Sequence, residues 1–434
     1  MSALQYLTNF KFIYDDWDFI DLRIDIPAKS YGSDAINKHT QYSNPVARIS
    51  QRDGDDSFGV GFTLGEGNQI ICEIADLLIK KWHGESIATL KDEGQSPYDF
   101  LSNPDQIRWL SPNSGAVYQA VGLIINTILD AYCRDFRLPL WRALLAIGVD
   151  DFNQFFGALN NLSSQLLFDE HNESEIKMHD FLKAYHTTWI GFDARSLSEE
   201  ILKVHKEKGI KLFKIKIGAD VDSYINKLKV LRTMIPEEIE LAVDANQVLT
   251  LSDAKKYLLV LDEMRIKWLE EPFSPDNILL FKKLIEFKRS NLLAIEIVTG
   301  ENCPSPHVCE ALLEIGIDRY QADPCRMMGF VDIILVSHLC DLYKTDLTPH
   351  AGGSCLDELS NHIAHYHHAR TRYVYSDNAY IENVGFCSWL LKNHTLVKKG
   401  VIITPTSNIL LGDFKPSVSK KFKTYNKGTT WLEL

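Results

Sequence analysis

The stretch Leu212-Phe213-Lys214-Ile215-Lys216-Ile217 opens a series of short apolar segments that decides the fold. Amphipathic stretches separate the segments, and each segment recurs after about the length of one strand plus one helix. This alternation is typical of βα units that build a parallel sheet, and six or more consecutive units favour a closed (β/α) barrel over an open sheet. The segments are 212–217, 239–243, 266–269, 294–298, 319–322 and 346–348.

Polar and ionisable residues fall at the ends of these segments. The C-terminal ends of barrel strands meet at one mouth, where barrel enzymes carry their chemistry. We therefore expect the following side chains to converge: Lys214, Lys216, Asp244, Asn246, Glu270, Glu301, Asp323, His350 and, one unit later, Glu382.

Lys214 and Lys216 are two positions apart, so they share one face of their strand. Inside a barrel the two ammonium groups repel each other and lose solvation. Both effects lower a lysine pKa, so we expect one of them to serve as a base near neutral pH. The alternative is an edge strand with two solvated surface lysines.

Asp244, Glu270 and Glu301 end three consecutive segments. Three carboxylates at close range need a cation, and oxygen ligands without cysteine or histidine favour a hard divalent ion, so Mg²⁺ is expected. The alternative is three unrelated acids in turns.

Asp323 and His350 end neighbouring segments. An aspartate beside a histidine orients the imidazole and raises its pKa, which suits an acid catalyst. A second group, His362, His365, His367 and His368, lies on a predicted helix without an acid or cysteine at metal-binding spacing. We interpret that group as structural.

The residues before the barrel predict an α+β domain. Residues 19–72 are rich in strand and turn signals, and residues 72–145 have helical periodicity. Residues 150–185 are polar and irregular and are interpreted as an insertion or a mobile lid. The predicted division is a capping domain over 1–145, a barrel over 146–395 and a C-terminal segment over 396–434.

Composition narrows the function. The chain has 434 residues and a formal net charge of −12, so neither nucleic acid nor an anionic membrane is an expected partner. The apolar stretch 120–133 includes Asn126 and Asp130 and predicts a buried helix rather than a membrane span. The eight cysteines form no Cys-x-x-Cys pair. Free thiols and an N-terminus without signal-peptide features predict a cytoplasmic protein.

The motifs at the segment ends resemble, in order, those of the mandelate racemase group of the enolase superfamily. They are Lys214-Ile215-Lys216, Val243-Asp244-Ala245-Asn246-Gln247, Trp268-Leu269-Glu270-Glu271-Pro272, Thr299-Gly300-Glu301, Gln321-Ala322-Asp323 and Pro349-His350-Ala351-Gly352-Gly353. Within that group, Gly32-Ser33-Asp34-Ala35-Ile36-Asn37, Tyr42-Ser43, Phe62-Thr63-Leu64-Gly65-Glu66-Gly67-Asn68 and Gln106-Ile107-Arg108-Trp109-Leu110 resemble the L-fuconate dehydratase subgroup of sugar acid dehydratases.

The resemblance implies an α/β fold: a modified (β/α)₇β barrel of the TIM type, under an α+β N-terminal cap that the C-terminal tail completes. It implies Mg²⁺ on Asp244, Glu270 and Glu301, and a homo-oligomer that acts on a small sugar acid such as L-fuconate or L-galactonate. Lys216 would take the proton α to the carboxylate, with help from Lys214.

The remaining implied roles concern the acid and the sugar. His350, held by Asp323, would be the acid, and Glu382 would form a hydrogen bond to the developing enolate. Ser33, Asp34 and Tyr42 would contact sugar hydroxyls, and Asn246 is a further candidate for substrate binding.

Two alternatives remain at this point. A lysine on one face and an Asp–His pair on the other also suit a racemase or epimerase of the same superfamily. A non-catalytic binding or regulatory protein could keep the same fold. A product that has lost water distinguishes dehydration from both.

Overall fold

The N-terminal part of the chain forms a three-stranded antiparallel sheet with helices packed on it. The computed structural model describes residues 1–25, 34–36, 41–50, 56–64, 66–110, 114–157, 182–371, 379–385, 390–407, 413–415 and 417. The strands, in sheet order, are β1 (Trp17–Asp25), β2 (Gln41–Ile49) and β3 (Ser57–Val60). The helices are α1 (Ala3–Asn9), α2 (Asn68–Lys81), α3 (Ile87–Leu90), α4 (Pro97–Ser102), α5 (Gly115–Phe136), α6 (Leu140–Leu145) and α7 (Val149–Phe156), with short 3₁₀ turns at Tyr14–Asp16 and Asp105–Leu110.

Helix α5 joins this domain to the rest of the molecule. It is the one helix in the described ranges that is long and apolar enough to cross a membrane, and 89% of its most apolar window is buried inside the protein. The predicted buried helix is thereby confirmed. A Cβ on Gly122 would lie 2.5 Å from the carbonyl oxygen of Met327, so a residue without a side chain permits the close packing of α5 on the second domain.

In the described part of the chain, the second domain is a barrel of eight parallel strands and seven intervening helices. The strands are β4 (Lys183–Thr187), β5 (Leu212–Lys216), β6 (Glu240–Asp244), β7 (Trp268–Glu270), β8 (Glu296–Thr299), β9 (Arg319–Tyr320), β10 (Asp346–Leu347) and β11 (Tyr380–Glu382). The helices are α8 (Ala194–Lys208), α9 (Val221–Met234), α10 (Leu251–Glu263), α11 (Ile278–Ser290), α12 (Pro306–Ile315), α13 (Phe330–Leu342) and α14 (Leu356–Arg370).

Neighbouring strands from β4 to β10 pair in parallel, and β11 pairs with β4. Among the described residues between β11 and β12, which are 383–385 and 390–396, no α-helix occurs, in agreement with the predicted (β/α)₇β arrangement. The predicted series begins one strand too late, because β4 lies at 183–187 and overlaps the end of the stretch 150–185 interpreted as an insertion. Residues 158–181 of that stretch lie outside the described residues.

Strand alternation places the lysines inside the barrel. One side chain from each of six strands forms an inner layer: Tyr185, Leu212, Ala242, Trp268, Val298 and Tyr380. Lys214 and Lys216 follow Leu212 on the same face, whereas Phe213 and Ile215 belong to the core outside the strands. The prediction that both lysines face inward is therefore confirmed.

The C-terminal segment extends the barrel before it reaches the first domain. Strands β12 (Val397–Lys398) and β13 (Val401–Ile402) form a hairpin that pairs antiparallel with β4. Further along, Arg134 donates to Asp413 at 2.9 Å, and the ring of Phe414 lies 5.4 Å from that of Phe58. These contacts support a tail that completes the cap, while the predicted domain bounds stay a prediction.

The first domain lies over the end of the barrel that carries the C-terminal ends of the strands. The Cys325 thiol donates to the carbonyl oxygen of Val60 at 3.2 Å, and the Asn44 side-chain amide donates to the carbonyl oxygen of Ser354 at 3.3 Å. Since the loops after β9 and β10 both touch the first domain, the cap covers the mouth where the polar side chains converge.

Candidate active site

Lys214 and Lys216 form a network of ion pairs at the centre of the mouth. Lys214 Nζ lies 2.5 Å from Glu270 Oε1, 3.0 Å from Glu382 Oε1 and 3.6 Å from Asp244 Oδ2. Lys216 Nζ lies 2.5 Å from Asp244 Oδ2. The four strands β5, β6, β7 and β11 thus bring these side chains together as predicted, and a solvated edge strand is excluded.

Three carboxylates form a buried triad at the ends of β6 and β7 and directly after β8. One oxygen from each of Asp244, Glu270 and Glu301 lies within 4.8 Å of the others. Glu301 Oε2 is buried and accepts no hydrogen bond of good geometry, although His350 Nε2 lies 3.3 Å away. An oxygen-only donor set of three buried carboxylates fits a hard divalent ion, and Mg²⁺ in particular.

Around the barrel, the lysines precede the triad on β5, and the Asp–His pair follows it after β9 and β10. His350 Nδ1 lies 2.9 Å from Asp323 Oδ2, and His350 Nε2 lies 3.3 Å from Glu301 Oε2. Asp323 is itself held by the backbone N–H of Cys325, which donates to its second oxygen at 2.7 Å. The imidazole therefore has one nitrogen anchored and the other directed at the site.

Hydrogen bonds from a neighbouring strand and from a loop fix Glu382. Thr187 Oγ1 on β4 donates to Glu382 Oε1, and the backbone N–H of Ala351 donates to Glu382 Oε2 at 2.7 Å. The loop that carries His350 and the strand that carries Glu382 are thus joined by a hydrogen bond. The spacing of the strand ends predicted Glu382 as a site residue. Its hydrogen bond to Thr187 was not predicted, because β4 was not recognised as a strand.

Two further polar side chains hold the central carboxylate of the triad. Gln321 Nε2 donates to Glu270 Oε2 at 2.7 Å, and Trp268 Nε1 donates to the same oxygen at 3.1 Å. Together with Lys214 on Oε1, these bonds satisfy both oxygens of a fully buried carboxylate. The sequence analysis did not predict these roles. Because Trp268 lies two positions before Glu270 on one strand, it could have been placed on the same inward face.

The lysine pKa values differ from the prediction. Burial lowers the pKa of Lys216, but the Asp244 carboxylate raises it by more, so that it lies above its usual value. For Lys214 the carboxylates of Glu270 and Glu382 likewise outweigh burial. The predicted lowering is wrong for these contacts, because the sequence argument counted the second lysine and the desolvation but not the carboxylates in direct contact.

The pKa values of two carboxyl groups in the site are shifted in opposite directions, and the pKa of the imidazole is raised. Burial raises the pKa of Glu270 to about 8, although Lys214 acts against it. Burial also raises the pKa of Glu382, but Lys214 and His350 bring it down to about 2. The pKa of His350 rises to about 9, because Glu301, Asp323 and Glu382 overcome the lowering by burial. A histidine that stays protonated at neutral pH suits an acid, as predicted.

The sugar-binding residues predicted in the cap are only partly described. Ser33 and the side chain of Tyr42 lie outside the described residues, whereas Asp34 Oδ1 accepts a hydrogen bond from the Ile36 N–H at 2.8 Å. On the barrel side, Asn246 Oδ1 is buried without a hydrogen-bond partner. Such an acceptor beside the triad is available to a ligand hydroxyl.

Phe62 is a cap residue at the mouth whose role the sequence did not reveal. Its ring centroid lies 6.4 Å from that of His350, and the Arg326 guanidinium lies 5.0 Å from its centroid. Gly352 and Gly353 leave room for this contact, since a Cβ on Gly353 would lie 2.7 Å from the Phe62 ring. The cap therefore shields the histidine from solvent with an aromatic ring.

The second histidine group is structural, as interpreted. All four side chains are buried on α14. His365 bonds to the Asn361 carbonyl oxygen at 2.9 Å and to Thr404 Oγ1 at 3.0 Å, and His367 bonds to Ser337 Oγ at 2.9 Å. Within the described ranges, no group with metal-binding geometry includes them.

Fold and site together define a class of protein: a capped (β/α)₇β barrel that holds a metal-binding acidic triad between a lysine pair and an Asp–His pair. The family model described as "Enolase C-terminal domain-like" matches residues 196–407. Residues 196–407, which include most of the barrel, are therefore an enolase C-terminal-like domain.

Relatives extend the likeness over both domains. L-galactonate dehydratase of Hypocrea jecorina is 25% identical over 429 residues, which cover 95% of this chain and 94% of that protein. Human mitochondrial enolase superfamily member 1 has a crystal structure with a TM-score of 0.82 and 23% identity, covering 97% of this chain and 98% of that chain.

A third relative contains the expected metal. The structure of L-talarate/galactarate dehydratase from Salmonella typhimurium LT2, liganded with Mg and L-lyxarohydroxamate, has a TM-score of 0.71 and 19% identity, covering 94% of this chain and 92% of that chain. Dehydratases among the relatives support an enzyme of the hydro-lyase class, and the buried triad of this chain could hold the same ion.

Proposed function

We propose that this protein is a Mg²⁺-dependent dehydratase that converts a sugar acid into a 2-keto-3-deoxy sugar acid and water. The observation that carries the proposal is the order of groups across the mouth. Lys216 contacts one end of the acidic triad at Asp244, and His350 lies 3.3 Å from the other end at Glu301. A substrate carboxylate at the triad would have a base on one side and an acid on the other.

Asp244, Glu270 and Glu301 would hold the ion. When bound there, Mg²⁺ supplies positive charge beside the substrate carboxylate, where negative charge develops as the α-proton leaves. Lys214, fixed between Glu270 and Glu382, would donate a hydrogen bond to the same carboxylate.

The proposed reaction moves one proton at each end. The Asp244 carboxylate raises the pKa of Lys216, and a cation held by Asp244 would oppose that effect and favour the free amine. As the free amine, Lys216 takes the C2 proton, and the electron pair of the C–H bond forms a C2–C3 double bond as the C3–O bond breaks. Protonated His350 gives its proton to the departing 3-hydroxyl, which leaves as water. The enol that remains tautomerises to the 2-keto acid. Ser33, Asp34, Tyr42 and Asn246 would bind the remaining hydroxyls.

The substrate is proposed to be an aldonate such as L-galactonate or L-fuconate. The likeness to L-galactonate dehydratase over nearly the whole chain supports the first, and the cap motifs support both. A cytoplasmic location and assembly into a homo-oligomer remain predictions.

A screen with a matched pair of variants tests the reaction. The protein is incubated with Mg²⁺ and a set of five- and six-carbon sugar acids, and the 2-keto-3-deoxy product is measured. Lys216→Ala should lower kcat by about 10²- to 10⁴-fold, the usual contribution of a general base. Lys211→Ala, an exposed lysine just before β5, is the control and should retain activity. Full activity of Lys216→Ala would overturn the assignment of the base.

Epimerisation is the second candidate, because Lys216 and His350 also suit proton removal on one face and return on the other. An epimerase yields an isomer of unchanged composition, whereas the proposed reaction loses one water. Mass spectrometry of the product separates the two.

A further inference from the structure

Glu271 is a fourth carboxylate next to the metal site that the proposed reaction does not use. Its side chain is fully buried, directly after Glu270 at the end of β7. Its backbone φ of 42° is in the left-handed region, which an L-residue adopts at a cost of about 1 kcal/mol or more. A buried carboxyl group and an uncommon backbone conformation at one position indicate that the surrounding contacts hold it in place.

The contacts of Glu271 reach two neighbouring loops. Gln247 Nε2 donates to Glu271 Oε1 at 3.0 Å, and the Gln247 backbone N–H donates to the Glu271 carbonyl oxygen at 2.7 Å. Asn302 Nδ2 lies 3.0 Å from Oε1 and 3.3 Å from Oε2 of the same carboxylate. Glu271 therefore joins the loop after β6 and the loop after β8 to the end of β7.

Each of these three side chains lies close in sequence to one carboxylate of the triad. Gln247 lies three residues after Asp244, Glu271 directly follows Glu270, and Asn302 directly follows Glu301. Asn302 Nδ2 also donates to Glu301 Oε1 at 3.2 Å. Asn302 thereby fixes Oε1 of Glu301, while Oε2 accepts no hydrogen bond of good geometry and faces His350 Nε2 at 3.3 Å.

We infer that Glu271 is a positioning residue. It connects the ends of the three strands that carry or precede the acidic triad and, through Asn302, orients Glu301 toward the ion. It acts behind the ligands: the contacts of its carboxylate described above are to Gln247 and Asn302, not to the lysines or to His350. Groups that hold metal ligands in this way typically contribute 10- to 100-fold to metal affinity. The inference rests on the magnesium centre of the proposed function.

Isothermal titration calorimetry with MgCl₂ tests this without any substrate. Glu271→Gln keeps the shape of the side chain but places an amide group against the amide donors of Asn302 and Gln247. Its Mg²⁺ dissociation constant should rise about 10- to 100-fold. Asn302→Ala removes the bridge from the other side and should weaken binding to a similar extent. Asn302 is only partly buried, so its variant is expected to fold. Mg²⁺ binding can then still be measured if Glu271→Gln fails to fold.

Asp332→Asn is the matched control. Asp332 is equally buried and is bound by Tyr98 and the Met328 N–H at 2.8 and 2.9 Å, away from the triad. This variant should lower the melting temperature and leave the Mg²⁺ dissociation constant unchanged. A residue with a merely structural role would behave like Asp332.

Two further readouts separate positioning from a general loss of structure. In a magnesium titration of activity, Glu271→Gln should need more Mg²⁺ for half-maximal rate and recover most of its kcat at saturation. The double variant Glu271→Gln/Asn302→Ala should bind Mg²⁺ no more weakly than Asn302→Ala alone, because both changes break one bridge.

The outcomes are distinguishable. Wild-type Mg²⁺ affinity in both single variants overturns the role of Glu271 while the metal centre stands. If the wild-type protein binds no Mg²⁺, the proposed metal site is wrong, and so is the positioning role of Glu271. Weakened binding in both variants with a normal Asp332→Asn supports the inference.

Discussion

Replacement of Asp323 by asparagine tests how the barrel keeps its histidine acidic. Asp323 Oδ2 lies 2.9 Å from His350 Nδ1, and this carboxylate is one of the groups that raise the pKa of His350 to about 9. A hydrogen bond to a charged group is worth about 1.5–3 kcal/mol, and one pH unit in a pKa corresponds to about 1.4 kcal/mol. Asp323→Asn should therefore lower the pKa of His350 by about one to two pH units.

The sign of the effect on activity follows from the protonation state. His350 must be protonated to act as an acid, so activity is lost as the pH rises through its pKa. In Asp323→Asn the alkaline limb of the pH dependence of kcat should move to lower pH, and kcat at its optimum should fall by about 10- to 100-fold.

A second aspartate provides the control. Asp346 begins β10, the strand that leads to His350, and pairs with Arg319 at 3.2 Å at the opposite end of the barrel. Asp346→Asn should leave the alkaline limb in place. The assay is kcat against pH for both variants with the sugar acid found in the screen. An alkaline limb of Asp323→Asn that coincides with that of the wild type would refute the reasoning.

Two further predictions follow from the packing around the site. In Gly352→Ala the new Cβ would lie 2.5 Å from His350 Nε2 and displace the imidazole, so kcat should fall by about 10²-fold. Gly148→Ala is the control, because a Cβ there meets no atom within 4 Å, and it should retain full activity. Equal kcat values in the two variants would contradict the prediction. Burial raises the pKa of Glu358 from 4.5 to about 7 against the opposing hydrogen bonds from Thr395, so the folded state binds this proton more tightly than the unfolded chain and stability should fall as the pH rises between these values. In Glu358→Gln, thermal denaturation should show a smaller loss of melting temperature from about pH 5 to about pH 8 than in the wild type, and parallel curves would count against it.

The strand ends of the barrel could be predicted from the sequence because they repeat. An ionisable residue at the same phase of six successive apolar segments is improbable by chance, and strand alternation then places Lys214 and Lys216 on one face. The triad and the Asp323–His350 pair followed from that spacing alone. The structure confirms their proximity, and their roles in catalysis are proposals.

Other features depend on contacts between distant segments. Strand β4 is only five residues long and contains Tyr185 and His186, so it has no strong apolar pattern, and its place as the first barrel strand emerges from pairing with β5 and β11. The lysine pKa values depend on which carboxylate each ammonium group touches. The contacts of Glu271 with Gln247 and Asn302 are side-chain hydrogen bonds between segments that are distant in sequence. Residue spacing does not predict such bonds.

Dehydration of a sugar acid in deuterated water tests the central claim most directly. The protein, Mg²⁺ and the sugar acid from the screen are incubated in D₂O, and the product is examined by mass spectrometry and NMR. We predict a keto acid that has lost one water and carries one deuterium at C3, formed only with Mg²⁺ and lost on addition of EDTA. An isomer that has lost no water and carries deuterium at C2 would contradict dehydration and identify the protein as an epimerase.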